Sequence, residues 1–272
     1  MSKEFSRKLR ETRGFICDMD GVVYHGSRVL PAAQGFVAWL QRAEKRFLFL
    51  TNSSERSPEG LSDKLRGLGI DVAPEHFYTS ALATAGFLAG QGRPGKVYVI
   101  GERGLHEALE QAGFTESERD VDYVVLGETD VSGTPGVYTY EKLDRAVNLV
   151  RAGARLIATN PDVSRPTEEG VAPGCAALVA PIEMTVGRRA YFVGKPNPLM
   201  MRQALHKLDC APEESVIIGD RMDTDIVAGV ESEIETILAL TGVTRREQLA
   251  DFAYQPDFVV ESLGEIVAAA ED

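Results

Sequence analysis

A series of short apolar runs recurs along the chain, each of strand length and each followed by a longer stretch whose apolar residues keep helical spacing. The runs fall at 14–17, 46–50, 97–100, 123–126, 155–158, 191–193, 215–218 and 236–240, with helical stretches predicted at 32–43, 58–68, 81–89, 105–112, 140–151, 198–208 and 224–232. Nearly continuous apolar strands alternating with helices demand parallel βαβ units covered on both faces, so the fold class is α/β. Local signals agree. Asn197-Pro198 offers a capping side chain and then proline at the first helical position, and Gly113 stands where a left-handed C-terminal residue belongs. The 272 residues suffice for one large domain or two small ones, and the Gly/Pro-rich stretch 90–95 is the best internal boundary.

Charge narrows the partners. Asp and Glu number 41 against 29 Lys and Arg, a formal charge of −12 that repels phosphate backbones and argues against a nucleic acid polymer as ligand. No apolar run reaches the ~18 residues of a membrane span, and the charged opening MSKEFSRKLRETR has no signal core, so the expected location is cytoplasmic, away from the membrane. Cys17, Cys175 and Cys210 are scattered and odd in number, which fits neither a disulfide scaffold nor a zinc cage.

Four strand ends carry polar chemistry. Phe15-Ile-Cys-Asp18-Met-Asp20-Gly21 drives an apolar run into two carboxylates, at the strand end where ligands gather in open α/β sheets. Asp18 could act as a nucleophile and Asp20 as an acid and base, although Asp-x-Asp-Gly is equally an ordinary acidic turn. Leu50-Thr51-Asn52-Ser53-Ser54 supplies phosphate donors or a helix cap. Gly194-Lys195-Pro196 places an ammonium at a third strand end, able to neutralise phosphate or simply solvated. Gly219-Asp220-Arg221-Met222-Asp223-Thr224-Asp225 offers oxygen ligands to a hard divalent cation, or helix-start acids.

Other motifs fall away. The stretch from Gly90 to Lys96 matches the opening of a P-loop, but Val97 replaces the Ser or Thr that binds magnesium, and the order of strand and helix is reversed. Asn52-Ser53-Ser54 is a glycosylation sequon without a secretory context. His25, His76, His106 and His206 show no metal-ligand spacing.

Taken together and in order, DMDGVVYHG at 18–26, LTNSS at 50–54, GKPNPLM at 194–201 and GDRMDTDIVAG at 219–229 resemble the haloacid dehalogenase superfamily of phosphohydrolases. The likeness is to the branch of NagD, the p-nitrophenyl phosphatases and pyridoxal phosphate phosphatase. The strings at 77–88, 126–129, 158–162 and 237–244 support it. The resemblance implies a Rossmann-like core at 1–93 and 190–272 with an inserted α/β cap domain at 94–189. It implies Asp18 as nucleophile, Asp20 as acid and base, and Thr51, Asn52 and Lys195 as phosphate ligands and charge balance. Magnesium would be held by Asp18, the backbone carbonyl of Asp20, and Asp220, with Asp225 behind them. The implied substrate is a small phosphorylated metabolite, first a nucleoside 5'-monophosphate, then phosphoglycolate, pyridoxal phosphate or a sugar phosphate. Relatives can dimerise through the cap, which keeps a homodimer among the expectations.

Two other classes compete. A phosphomutase uses the same aspartate, but its usual cap lies between the first two motifs, where the short span from Asp20 to Thr51 leaves little room. A silent phosphate binder would not need Asp18, Asp20, Lys195 and Asp220 all intact. A second Thr-Asn, Thr159-Asn160, echoes Thr51-Asn52 and reads as a turn of the cap or a substrate contact. Two residues depart from relatives: Ala176 follows Gly174-Cys175 where a glycine is common, and Glu233 stands at a position suited to left-handed glycine, at a cost of about 1 kcal/mol.

Overall fold

The computed structural model of the chain describes residues 3–92, 95–129, 134–167 and 170–272. Two compact units emerge. One comprises Met1–Thr51, Leu61–Tyr78 and Lys195–Asp272, the other Asn52–Gly60 and Thr79–Gly194.

The first unit is built on a six-stranded sheet in the order Phe258–Val260, Glu235–Ala239, Ser215–Gly219, Gly14–Cys17, Arg46–Thr51, Phe77–Thr79. The pairings from Phe258–Val260 through Arg46–Thr51 are parallel, with Phe15 level with Val216 on one side and Phe47 on the other. All four residues of Gly14–Cys17 are buried, as a central strand covered on both faces requires. Phe15, Phe36, Trp39, Leu40 and Phe49 form the middle of its core, with Trp39 edge-on to Phe15 at 5.3 Å between ring centres. From Gly14–Cys17 the chain steps to Arg46–Thr51 on one side, and later returns as Ser215–Gly219 on the other. Their carboxyl ends therefore flank a topological switch point, where such sheets take their ligands.

The second unit has a five-stranded parallel sheet in the order Tyr191–Phe192, Arg155–Ala158, Tyr123–Leu126, Lys96–Ile100, Thr115–Glu116. Its core joins Ile100, Val124, Leu126 and Leu156 to Val179 and Ile182 of the helix Cys175–Val186. This sheet too has a switch point, between Lys96–Ile100 and Tyr123–Leu126. Here the chain itself fills the crest. Gly104 N–H, near the start of the helix Arg103–Gln111, donates to the Glu55 carbonyl at 2.9 Å, and Glu128 N–H donates to Ser54 Oγ at 2.9 Å.

Several bounds differ from those expected. Asn52–Gly60 belongs with the second sheet, because its backbone and Ser54 are bonded into that crest. The helix Ser80–Ala89 also counts there, which moves the start of the unit back from 94 to Thr79. Tyr191–Phe192, expected to open the returning core, pairs instead with Arg155–Ala158, and Phe192 packs in the second core. The expected boundary at 93 and 94 falls on Arg93 and Pro94, outside the described residues. The stretch 224–232 divides into a wide π-type turn, Met222–Ile226, and a short helix, Val227–Glu231. Glu233 does adopt the left-handed conformation, at φ 58°, and Gly113 likewise at φ 87°.

Candidate active site

Asp18 leaves the end of Gly14–Cys17 with its N–H donating to the Ile218 carbonyl at 2.8 Å, still in strand register with its neighbour. Lys195 Nζ donates to Asp18 Oδ1 at 2.6 Å, to Asp225 Oδ1 at 2.7 Å and to the Leu50 carbonyl at 3.1 Å. An ammonium has three donors, and these partners fix where it points. Burial works against the charged lysine, yet Asp18 and Asp225 hold its pKa above the ordinary lysine range. Burial likewise raises Asp18, against the pull of Lys195. An ionised carboxylate at this depth therefore depends on a close cation.

Asp220 follows Ser215–Gly219 across the switch point. Val243 N–H donates to its Oδ2 at 2.7 Å, while Oδ1 is buried and meets no hydrogen-bond donor among the described residues. Burial, and then the charge of Asp225, push its pKa up to about 7. Carboxylate oxygens of Asp18, Asp220 and Asp225 all lie within 4.8 Å of one another. Three carboxylates facing one lysine leave an excess of buried negative charge, and an unpartnered carboxylate oxygen is what a hard divalent cation binds. The donor set fits magnesium. Asp225 is differently engaged: Oδ1 faces Lys195 and Oδ2 accepts from Arg221 N–H at 3.2 Å, so it braces the site from behind.

Asp20 sits past the strand in a tight turn, where Gly21 at φ 80° and a Gly21 N–H to Tyr24 carbonyl bond of 2.8 Å reverse the chain. Its side chain is 54% exposed, with Oδ1 3.5 Å from His25 Nδ1. That exposure suits a group that must exchange protons with water. Thr51 ends its strand nearly buried. The structure thus brings Asp18, Lys195, Asp220 and Asp225 together at one sheet crest.

Asn52 has a different neighbourhood. Its Nδ2 donates to Asp162 Oδ2 at 2.8 Å, and its carbonyl accepts from Ser80 Oγ at 2.5 Å, all within the second unit. Asp162 Oδ2 also accepts from Asn160 Nδ2 at 2.6 Å, and Asn160 Nδ2 reaches Glu128 Oε1 at 3.0 Å. Burial, and then the charge of Asp162, push the Glu128 pKa up to about 8. Sequence reasoning singled out none of Ser54, Glu128 or Asp162 for a role of its own. One signal was present: two strands of the second sheet end in Gly-Glu, Gly101-Glu102 and Gly127-Glu128, the polar ends of its own switch point. Thr159 and Asn160 are fully buried, as a turn of the fold would be.

A family model described as haloacid dehalogenase-like hydrolase matches residues 15–115, and a related HAD-hydrolase-like model matches 192–266. Dihydroxyacetone phosphatase of Corynebacterium glutamicum is 38% identical over 95% of this chain and 92% of its own length. Ribonucleotide monophosphatase NagD of Escherichia coli K12 is 38% identical over 93% and 98%. The crystal structure of a 4-nitrophenylphosphatase from Thermotoga maritima superposes with a TM-score of 0.90 at 35% identity, covering 97% of this chain and 99% of that one.

Proposed function

The chain belongs to the haloacid dehalogenase-like hydrolases, in the branch of NagD and the p-nitrophenyl phosphatases, and on that premise we propose that it is a magnesium-dependent phosphomonoesterase working through an aspartyl-phosphate on Asp18. One observation carries the reading: a buried lysine holds Asp18 and Asp225, while the neighbouring Asp220 presents a carboxylate oxygen with no protein donor.

In this reading Lys195 fixes Asp18 Oδ1, which leaves Oδ2 to attack the phosphorus. The leaving oxygen departs with a proton from Asp20. The Asp20 carboxylate then takes a proton from water, whose oxygen attacks the phosphorus. The bond to Asp18 breaks, inorganic phosphate leaves, and both carboxyl groups return to their starting states. Thr51 and Asn52 hold the phosphate oxygens. Magnesium, held by Asp18, the Asp20 backbone carbonyl and Asp220, would neutralise charge on the transferring phosphoryl group. The second unit takes the part of the inserted cap and chooses the leaving group.

The substrate class is a small phosphorylated metabolite, with nucleoside 5'-monophosphates first, in line with the activity NagD is named for. A triose or sugar phosphate is the second reading, favoured by the C. glutamicum relative. The test is phosphate release from a panel of phosphorylated metabolites, with magnesium or EDTA, comparing wild type with Asp18→Asn. Magnesium-dependent turnover that vanishes in the variant is the expected result, and the panel ranks the substrates. Release that survives Asp18→Asn would remove the nucleophile assignment, and binding without release would make the protein a phosphate binder.

A further inference from the structure

The amide of Asn52 is held at both ends. Its nitrogen faces Asp162 at 2.8 Å. At the other end, a Cβ added to Gly194 would come within 2.7 Å of Asn52 Oδ1 and 2.6 Å of the Thr159 carbonyl, so only glycine lets the amide oxygen lie there. Asp162 is itself pinned by backbone. Its carbonyl accepts from Ala176 N–H at 3.0 Å, and Gly174 lies so close that any Cβ would strike that carbonyl oxygen. Asn160 then adds a second amide to Asp162 Oδ2 and ties it to Glu128. Ser54 and Glu55, two and three residues after Asn52, are bonded to Glu128 N–H and Gly104 N–H.

An ionised carboxylate accepts hydrogen bonds and donates none, so it dictates which end of a neighbouring amide is nitrogen. A phosphate also only accepts, and needs that same nitrogen end. We propose that Asp162 is a positioning residue: it sets the Asn52 amide in the one orientation that can recognise substrate phosphate, with Asn160 and Glu128 holding Asp162 in turn. This rests on the assignment of Asn52 as a phosphate ligand.

The experiment compares wild type, Asp162→Ala, Asp162→Asn, Asn52→Ala and the double variant Asn52→Ala/Asp162→Ala. Each is titrated calorimetrically with inorganic phosphate in magnesium, and assayed for phosphate release from p-nitrophenyl phosphate. Asp162→Ala should weaken phosphate binding and raise KM about tenfold, with kcat within about threefold and a fall in melting temperature comparable with that of Asn160→Ala. Asp162→Asn keeps an acceptor oxygen and should recover most of the loss. The double variant should be no worse than Asn52→Ala alone, because the two residues act as one unit. The idea is overturned if the two losses multiply, or if Asp162→Ala lowers melting temperature or kcat while phosphate affinity stays unchanged. Should Asp162→Ala fail to fold, Asp162→Ser, alone and with Asn52→Ala, makes the same comparison. A wild type that binds phosphate without turnover would sink the phosphatase reading and leave the binding comparison intact. A wild type that binds no phosphate would overturn both.

Discussion

Each unit buries a knot of carboxyl groups at the crest of a parallel sheet, and the two are neutralised by different means. Around Asp18 the counter-charge is a lysine, with its ammonium shared between Asp18 and Asp225 and one oxygen of Asp220 left without a donor. Around Glu128 the side-chain partners include amides, with the Arg165 guanidinium 3.9 Å from Glu55. Amides of Asn52 and Asn160 meet Asp162, and burial raises the pKa of the Glu128 carboxyl. The first knot sets an ammonium among carboxyl groups and leaves one oxygen of Asp220 open to a cation from outside. In the second, the amides of Asn52 and Asn160 take up one oxygen of Asp162. Reactivity and rigidity are thus separated by how the carboxyl groups are neutralised rather than by how many there are.

The strongest challenge to that contrast is Lys195→Ala. Removing one partner from a buried ion set costs about 3–5 kcal/mol, and turnover should fall by roughly 10³-fold or more. Phosphate release and thermal melting would check it, and a variant with near wild-type turnover would erase the distinction between the knots. Glu128→Gln comes next. Burial raises the Glu128 pKa from 4.5 to about 8, so folding favours the protonated form; that stability is complete below about pH 4.5 and is lost as pH rises through about 8. The neutral glutamine should therefore be more stable than wild type at pH 9, by on the order of a few kcal/mol, and melt higher, with the gap closing near pH 5. Parallel melting curves across that range would show that Glu128 is ionised after all. Asn160→Ala should have the smallest effect, about 1–3 kcal/mol of stability, because it removes hydrogen bonds without stranding a charge. A loss as large as that of Lys195→Ala would mean the second knot is also held by charge.

The reactive knot was legible in the sequence because each of its members closes or follows a strand: Asp18 after Gly14–Cys17, Asp220 after Ser215–Gly219, Lys195 after the Gly194 turn. A covered strand is a run of apolar residues, so its end is marked by the first polar one. Asn52 was legible for the same reason, at the end of Arg46–Thr51, but its pairing with Asp162 was not, since Asp162 lies in a polar loop with no strand or helix pattern to point at a partner. The helix Cys175–Val186 escaped for a local reason: Pro181 sits inside it, where proline ordinarily ends a helix. The helix Lys3–Glu11 shows only Phe5 and Leu9, one turn apart, amid charged residues, too short a stripe to stand out. The unit boundary at Asn52 follows from hydrogen bonds to Glu128 and Gly104, which no composition change announces.

The seating of Asn52–Gly60 on the second sheet bears on any attempt to transplant selectivity among relatives. A cassette cut at the Gly/Pro-rich stretch and at Gly194 would carry Gly104 and Glu128 but leave Ser54 and Glu55 behind, so two backbone donors of the crest would lose their acceptors. The smallest exchangeable module is therefore discontinuous, and must bring residues 52–60 with 79–194. Recombination at the obvious linker alone would trade a folded unit for one with an open socket.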